Sequence, residues 1–165
     1  MIPDSQFSTV ISLSDKRLVK DVPAPHMGGA ILRDALPDMP FDAAATGFVL
    51  ACLPDSKDPV MWIQDRMSRR ENGRLYGPAL RRFGFAGHIL RVEVSYPRDV
   101  LWAMEEGAAC AGLSAVVGEI HGAPEVLSFT ATKRLALRAE QSGVPLWLIR
   151  SGDHGVLSAA RERWR

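Results

Sequence analysis

Along this chain, short runs of apolar residues alternate with stretches in which apolar positions recur every three or four residues. Five runs rich in Val, Ile, Leu and Trp read as strands, at residues 29–32, 60–63, 89–94, 113–120 and 145–149. Between them the periodicity turns helical. Residues 41–53 are small and apolar on nearly every side, which predicts a buried helix, and 77–83 read as a short helix with Pro78 at an early position. From Tyr96 and Pro97 onward, Val100, Leu101, Met104 and Ala108 share one face while Glu105 and Glu106 point away. A last helix over 130–142 turns Leu135 and Ala139 inward and Lys133, Arg134 and Glu140 outward; Thr130 and Thr132 read as helix-start residues, and Gly143 with Pro145 ends it.

Strands that alternate with helices imply an α/β fold, a mainly parallel central sheet with helices on both faces. The run 113–120 is apolar on both sides and belongs at the sheet centre, whereas 89–94 alternates, so one of its faces is less buried. Residues 64–74, polar and rich in arginine, read as a long exposed loop at the end of the second strand. After a turn at 151–155 the tail ends on Arg163-Trp164-Arg165, in the manner of a strand beginning. Residues 1–25, with Pro3, Pro23 and Pro25, read as an N-terminal arm, and 26–165 as one core domain.

Composition narrows the class. An apolar fraction of 47% with 24% charged residues is that of a globular domain, and 165 residues suffice for one core. Cys52 and Cys110 lie in apolar surroundings without CxxC spacing, no apolar run approaches the roughly 20 residues of a membrane helix, and residues 1–22 lack a continuous hydrophobic stretch. These features predict a cytoplasmic protein with no membrane partner. Net charge is only +1, but residues 66–98 hold eight Arg against Glu71 and Glu93, and residues 99–125 are purely acidic. Such blocks steer charged partners or simply face solvent.

A strand, a loop, a helix of small residues and a later buried strand ending in an acid is the layout of a nucleotide-binding P-loop domain. That loop needs glycines, a lysine for the β- and γ-phosphates and a Ser/Thr for magnesium. Here the segment runs Leu36-Pro37-Asp38-Met39-Pro40-Phe41-Asp42-Ala43-Ala44-Ala45-Thr46, and no lysine occurs between Lys20 and Lys57. Two prolines remove N–H donors and two aspartates repel phosphate. The region around Pro37, Asp38, Met39, Pro40 and Thr46 is therefore a degenerate phosphate loop, and no cofactor or metal is expected.

Glu119 ends the central strand where P-loop enzymes carry the acid that supports magnesium; the alternative is a glutamate that bonds its surroundings or contacts a partner. His121 adds at most a two-residue metal pair, and His26, His88 and His154 are scattered. No G-x-S-x-G occurs, and Ser114 reads as a packed strand residue. Arg66, Arg69, Arg70, Arg74 and Tyr76 join arginines to an aromatic at the strand-end crevice, and Arg161, Arg163 and Trp164 form a second candidate contact patch.

The segments Leu75-Tyr76-Gly77-Pro78-Ala79-Leu80 and Leu101-Trp102-Ala103-Met104-Glu105-Glu106-Gly107 resemble ImuA, a RecA-like, SulA-related family of damage-inducible mutagenesis proteins. Leu113-Ser114-Ala115-Val116-Val117-Gly118-Glu119, Thr132-Lys133-Arg134-Leu135 and Ala159-Ala160-Arg161-Glu162-Arg163-Trp164-Arg165 follow in that family's order, and Ala44-Ala45-Thr46-Gly47-Phe48 resembles its first helix. The resemblance runs from about Gly28 to Arg165; the segment before Asp42 is shorter than the family's. It implies a RecA-like three-layer sandwich and an SOS-induced, non-catalytic role in translesion synthesis, with an ImuB-type polymerase-like adaptor and RecA as partners. DNA contact is then indirect or weak, and self-association stays open. The rivals are a weak ATPase with a degenerate phosphate loop and a direct DNA binder.

Overall fold

The computed structural model of the chain describes residues 28–40, 42–152 and 157–165. Within them lie strands β1 (Leu32–Ala35), β2 (Val60–Gln64), β3 (Ile89–Glu93), β4 (Ala115–His121), β5 (Leu146–Ser151) and β6 (Glu162–Trp164), with helices α1 (Ala43–Cys52), α2 (Arg66–Asn72), α3 (Gly77–Phe83), α4 (Pro97–Ala108) and α5 (Phe129–Ser142). The strands form one sheet in the order β3-β2-β4-β5-β1-β6, every pair parallel. The N-terminal arm expected over 1–25, with His26 and His154, falls outside the described residues.

Alternation along the strands sorts the core into two layers. Leu32, Ile63, Val116, Ile120, Leu146 and Leu148 face α4 and α5, against Val100, Met104 and Leu135. Ala35, Val60, Trp62, Val117, Trp147 and Ile149 face the other side, where Val49 and Leu50 of α1 and Leu80 of α3 pack. The result is a three-layer α/β sandwich, as the alternation of strands and helices predicts, with a sheet that is wholly parallel. β4 sits between β2 and β5, and its first six residues are buried, as a central parallel strand requires. Helix α4 lies close on this strand because Gly118 of β4 and Gly107 of α4 have no side chains; a Cβ at Gly107 would come within 2.7 Å of Met61 Sδ.

Several elements differ from expectation, each for a physical reason. β1 spans Leu32–Ala35 instead of 29–32, because the buried strand contains Arg33 and Asp34 and so breaks the apolar pattern. Both charges are compensated. Arg33 donates to Glu162 at 2.8 Å and to the Gly28 carbonyl at 2.7 Å, and its guanidinium lies 5.6 Å from the Trp147 ring centre. Asp34 pairs with Arg150 at 2.9 Å, both fully buried, with Arg163 at 3.5 Å.

The loop expected over 64–74 is instead largely the short helix α2. Asp65 caps it by accepting from Ser68 N at 2.7 Å, Gly73 closes it at φ 77°, and Ser68 is buried. Helix α1 is fully buried only at Val49, Leu50 and Cys52, is half-buried at residues 45–48, and exposes Ala43 and Ala44, so it is not the fully buried helix expected. The cap of α5 is Ser128, accepting from Ala131 N at 3.2 Å. Thr132 is buried one turn inside, donating to Phe129 O and accepting from Ala159 N at 3.0 Å, which ties the C-terminal segment to α5. Cys52 is buried, which pushes its thiol up to about 11, whereas Cys110 is exposed.

Candidate functional site

The carboxyl ends of parallel strands are where α/β sheets place ligands, and here β2, β4 and β5 end in a polar cluster beneath an open groove. The groove, of about 320 Å³, runs between α1 and the α2–α3 segment; its walls include Thr46, Gly47, Leu50, Leu75, Tyr76, Leu80 and Phe83, and Gln64, Asn72, Glu119 and Ser151 line it deeper. A second groove of about 230 Å³ lies on the other side of α1, between the loop after β1 and Trp164.

The residues of the degenerate phosphate loop surround α1 without forming a cradle. Leu36 is buried and its N–H bonds to the Trp164 carbonyl at 2.8 Å, while Asp38, Met39 and Pro40 are exposed. At the start of α1, where a phosphate would meet free N–H groups, the Asp42 carboxylate already accepts from Ala44 N at 2.8 Å. The helix therefore carries its own anion. Thr46 lies a turn further on, in the wall of the larger groove.

Glu119 is 2% exposed, and three side chains donate to its carboxylate. Trp62 Nε1 reaches Oε1 at 2.5 Å, and Gln64 Nε2 and Asn72 Nδ2 reach Oε2 at 3.1 and 3.4 Å. The strand register puts these groups together: β2 and β4 pair Trp62 with Val117 and Gln64 with Glu119, so all three polar side chains point to the α1 side of the sheet. Ser68 of α2 donates to the Glu119 carbonyl at 3.0 Å, and Asn72 also donates to Ser151 Oγ at 3.1 Å. Burial pushes the Glu119 carboxyl above its ordinary range, the three donors oppose that, and nearby Asp65 adds to it. Trp62, Gln64 and Asn72 were not legible as site residues, because only the pairing of β2 with β4 and the packing of α2 over the strand ends bring them to Glu119.

The arginines of 66–74 do not act as one free patch. Arg69 is 17% exposed and donates to the carbonyls of Gln64 at 2.8 Å and Val94 at 3.1 Å, pinning α2 over the ends of β2 and β3. Arg74 forms a two-pronged pair with Glu93 at 2.7 and 3.3 Å, which holds that carboxyl below its ordinary range. Arg66, Arg70 and Tyr76 remain outward, Tyr76 as the residue before α3 with 67% exposure. His88 is exposed.

The C-terminal candidates are likewise divided, by strand alternation. Arg161 pairs with Glu140 of α5 at 2.6 Å and Arg163 reaches Asp34, on one face; Trp164 packs on Phe48 of α1 with ring centres 5.4 Å apart, on the other. β6 and the β2–β3 end are opposite edges of the sheet, so the two sets are separate surfaces. Among the described residues no three His, Cys, Asp or Glu side chains gather as metal ligands, and no helix is long and apolar enough to cross a membrane.

No protein-family model matches the chain, and none of the curated proteins matches it. Among solved structures, SulA from Pseudomonas aeruginosa superposes with a TM-score of 0.51 at 20% identity, over 73% of this chain and 98% of that one. At that identity the likeness is one of fold.

Proposed function

We propose that this chain is a non-catalytic RecA-like adaptor of the SOS response, acting in translesion mutagenesis by binding other proteins, an ImuB-type polymerase-like protein and RecA first among them. The observation that carries the non-catalytic part is the Asp42 cap: the α1 N-terminus, where a P-loop domain places a nucleotide phosphate, carries a carboxylate of the chain itself. Glu119 supports it, since both of its oxygens accept from side chains of the chain. The ImuA-like motifs supply the setting, and a fold shared with SulA agrees with it.

Protein binding is favoured over DNA binding by how the arginines are used. Glu93 holds Arg69, Arg74 and Arg91 within 3.6 Å, and Arg69 also donates to two strand-end carbonyls, so these guanidinium groups are oriented inward on the chain's own acceptors instead of outward toward a phosphate backbone, although one carboxylate offsets only one of the three charges. The test is capture of RecA and of the ImuB-type protein from the same source by the tagged full chain, compared with Arg66→Glu, Arg70→Glu and Tyr76→Ala. These positions are exposed, so their substitution leaves the fold intact. Capture that weakens in the variants is the expected result; absence of capture of either protein overturns the named partners.

A further inference from the structure

The carboxylate of Glu119 is an unusual buried charge. It sits at the floor of the larger groove, and no Lys or Arg lies within 4.0 Å of it among the described residues; its neighbours are three donors and another acid, Asp65. Buried charges in proteins are ordinarily paired with an opposite charge. The arginine that lines the groove wall, Arg74, is turned to Glu93.

The groups around Glu119 have the same polarity. Gln64 is 1% exposed; its amide nitrogen is committed to Glu119 and to the Gly73 carbonyl at 2.9 Å, and its Oε1 accepts nothing. Asn72 repeats the pattern, its nitrogen shared between Glu119 and Ser151 and its Oδ1 without a partner. Both side chains line the groove, as does Asp42 at its rim. The floor therefore offers acceptors and a negative charge beneath walls that are apolar, formed by Leu50, Leu75, Tyr76, Leu80 and Phe83.

We infer that this groove receives a segment of a partner protein with one basic side chain, Lys or Arg, between apolar residues, the basic group docking on Glu119, Gln64 and Asn72. The inference rests on the protein-binding reading above and adds the chemistry of what is bound. An acidic segment, the occupant that arginines in the sequence around the groove would otherwise suggest, meets Glu119 and Asp42 instead.

The test uses the full chain labelled with nitrogen-15, whose four tryptophans give separable indole N–H signals. Trp62 donates its indole N–H to Glu119 and so reports on the floor directly. The probes are acetyl-Leu-Arg-Leu-amide, the same peptide with neutral citrulline for arginine, and the same with glutamate. The Arg peptide is expected to shift the Trp62 signal, with affinity about thirtyfold above the citrulline peptide and a comparable loss in Glu119→Gln, as for truncating one side of a buried charge pair. The comparison of peptides on the unaltered protein holds even if that variant folds poorly. Equal binding of the Arg and citrulline peptides, or preference for the glutamate peptide, overturns the proposal. So does a Trp62 shift produced without any peptide by Lys16→Gln, Arg17→Gln and Lys20→Gln together, which would make the chain's own N-terminal arm the occupant. Failure here while the capture experiment succeeds leaves the adaptor reading standing with another surface; success here without capture retains the groove and discards the named partners.

Discussion

Asp34 and Arg150 are both fully buried, 2.9 Å apart, and show what charge inside this sheet costs. Burial pushes the Asp34 carboxyl above its ordinary range, and Arg150 is the chief influence pulling it back. Arg150→Met removes that pull and leaves the carboxylate with the Ser158 hydroxyl and with Arg163, which is one-third exposed and 3.5 Å away. The expected loss is about 3 kcal/mol at neutral pH, the scale for removing one partner of a buried pair. The sign of its pH dependence follows from linkage. With its folded pKa raised further, Asp34 binds a proton more tightly in the folded state than in the unfolded one, so the variant is relatively most stable in acid. Its deficit against the parent grows as pH rises through the folded pKa. Urea unfolding of both proteins from acid to neutral pH measures this; a deficit that is constant or shrinks with rising pH would show that the pair does not control Asp34.

Helix α2 is the element that pattern alone does not reveal. Its seven residues present no apolar face, and Met67 is 47% exposed. What holds it is the Asp65 cap, the Ser68 bond to β4 and the Arg69 bonds to two strand-end carbonyls. Arg69→Ala is accordingly expected to cost about 1.5–3 kcal/mol, as charged hydrogen bonds do, whereas Arg66→Ala and Arg70→Ala should stay within about 0.5 kcal/mol. Thermal unfolding separates the two classes, and equal effects at the three positions would refute the assignment of Arg69 as the pin. The contrast explains what was readable from the sequence. Strands β2, β4 and β5 and helices α4 and α5 carry the apolar pattern of their own burial, α3 is marked by Pro78 and Gly84 and β3 by its alternation, and all fall within about two residues of expectation at most ends. β1 and α2 are specified by long-range partners, Glu162 and Arg150 for the one and β4 with Val94 for the other, and no local window contains them.

At the scale of the whole molecule, the same division holds for the site. Glu119 was legible because the end of a central strand is a position, whereas its donors arrive from β2 and α2 only when the sheet assembles. The architecture then sets two anionic features across one groove, the Asp42 cap at the start of α1 and Glu119 at the floor, where a P-loop fold would place a nucleotide's phosphates and metal. A triphosphate entering there meets two carboxylates, no lysine, and a helix N-terminus that already carries an Asp42 cap. Saturating magnesium-ATP should therefore leave the melting temperature of the full chain unchanged. A working site occupied at a hundred times its dissociation constant would add about 2.7 kcal/mol, a rise of roughly 5–10 °C for a domain of this size. A rise of that order, abolished by Glu119→Gln, would turn Glu119 from a groove floor into a nucleotide-site acid and overturn the non-catalytic reading; no rise, together with a Trp62 signal that responds to the arginine peptide, would place the same carboxylate in protein recognition.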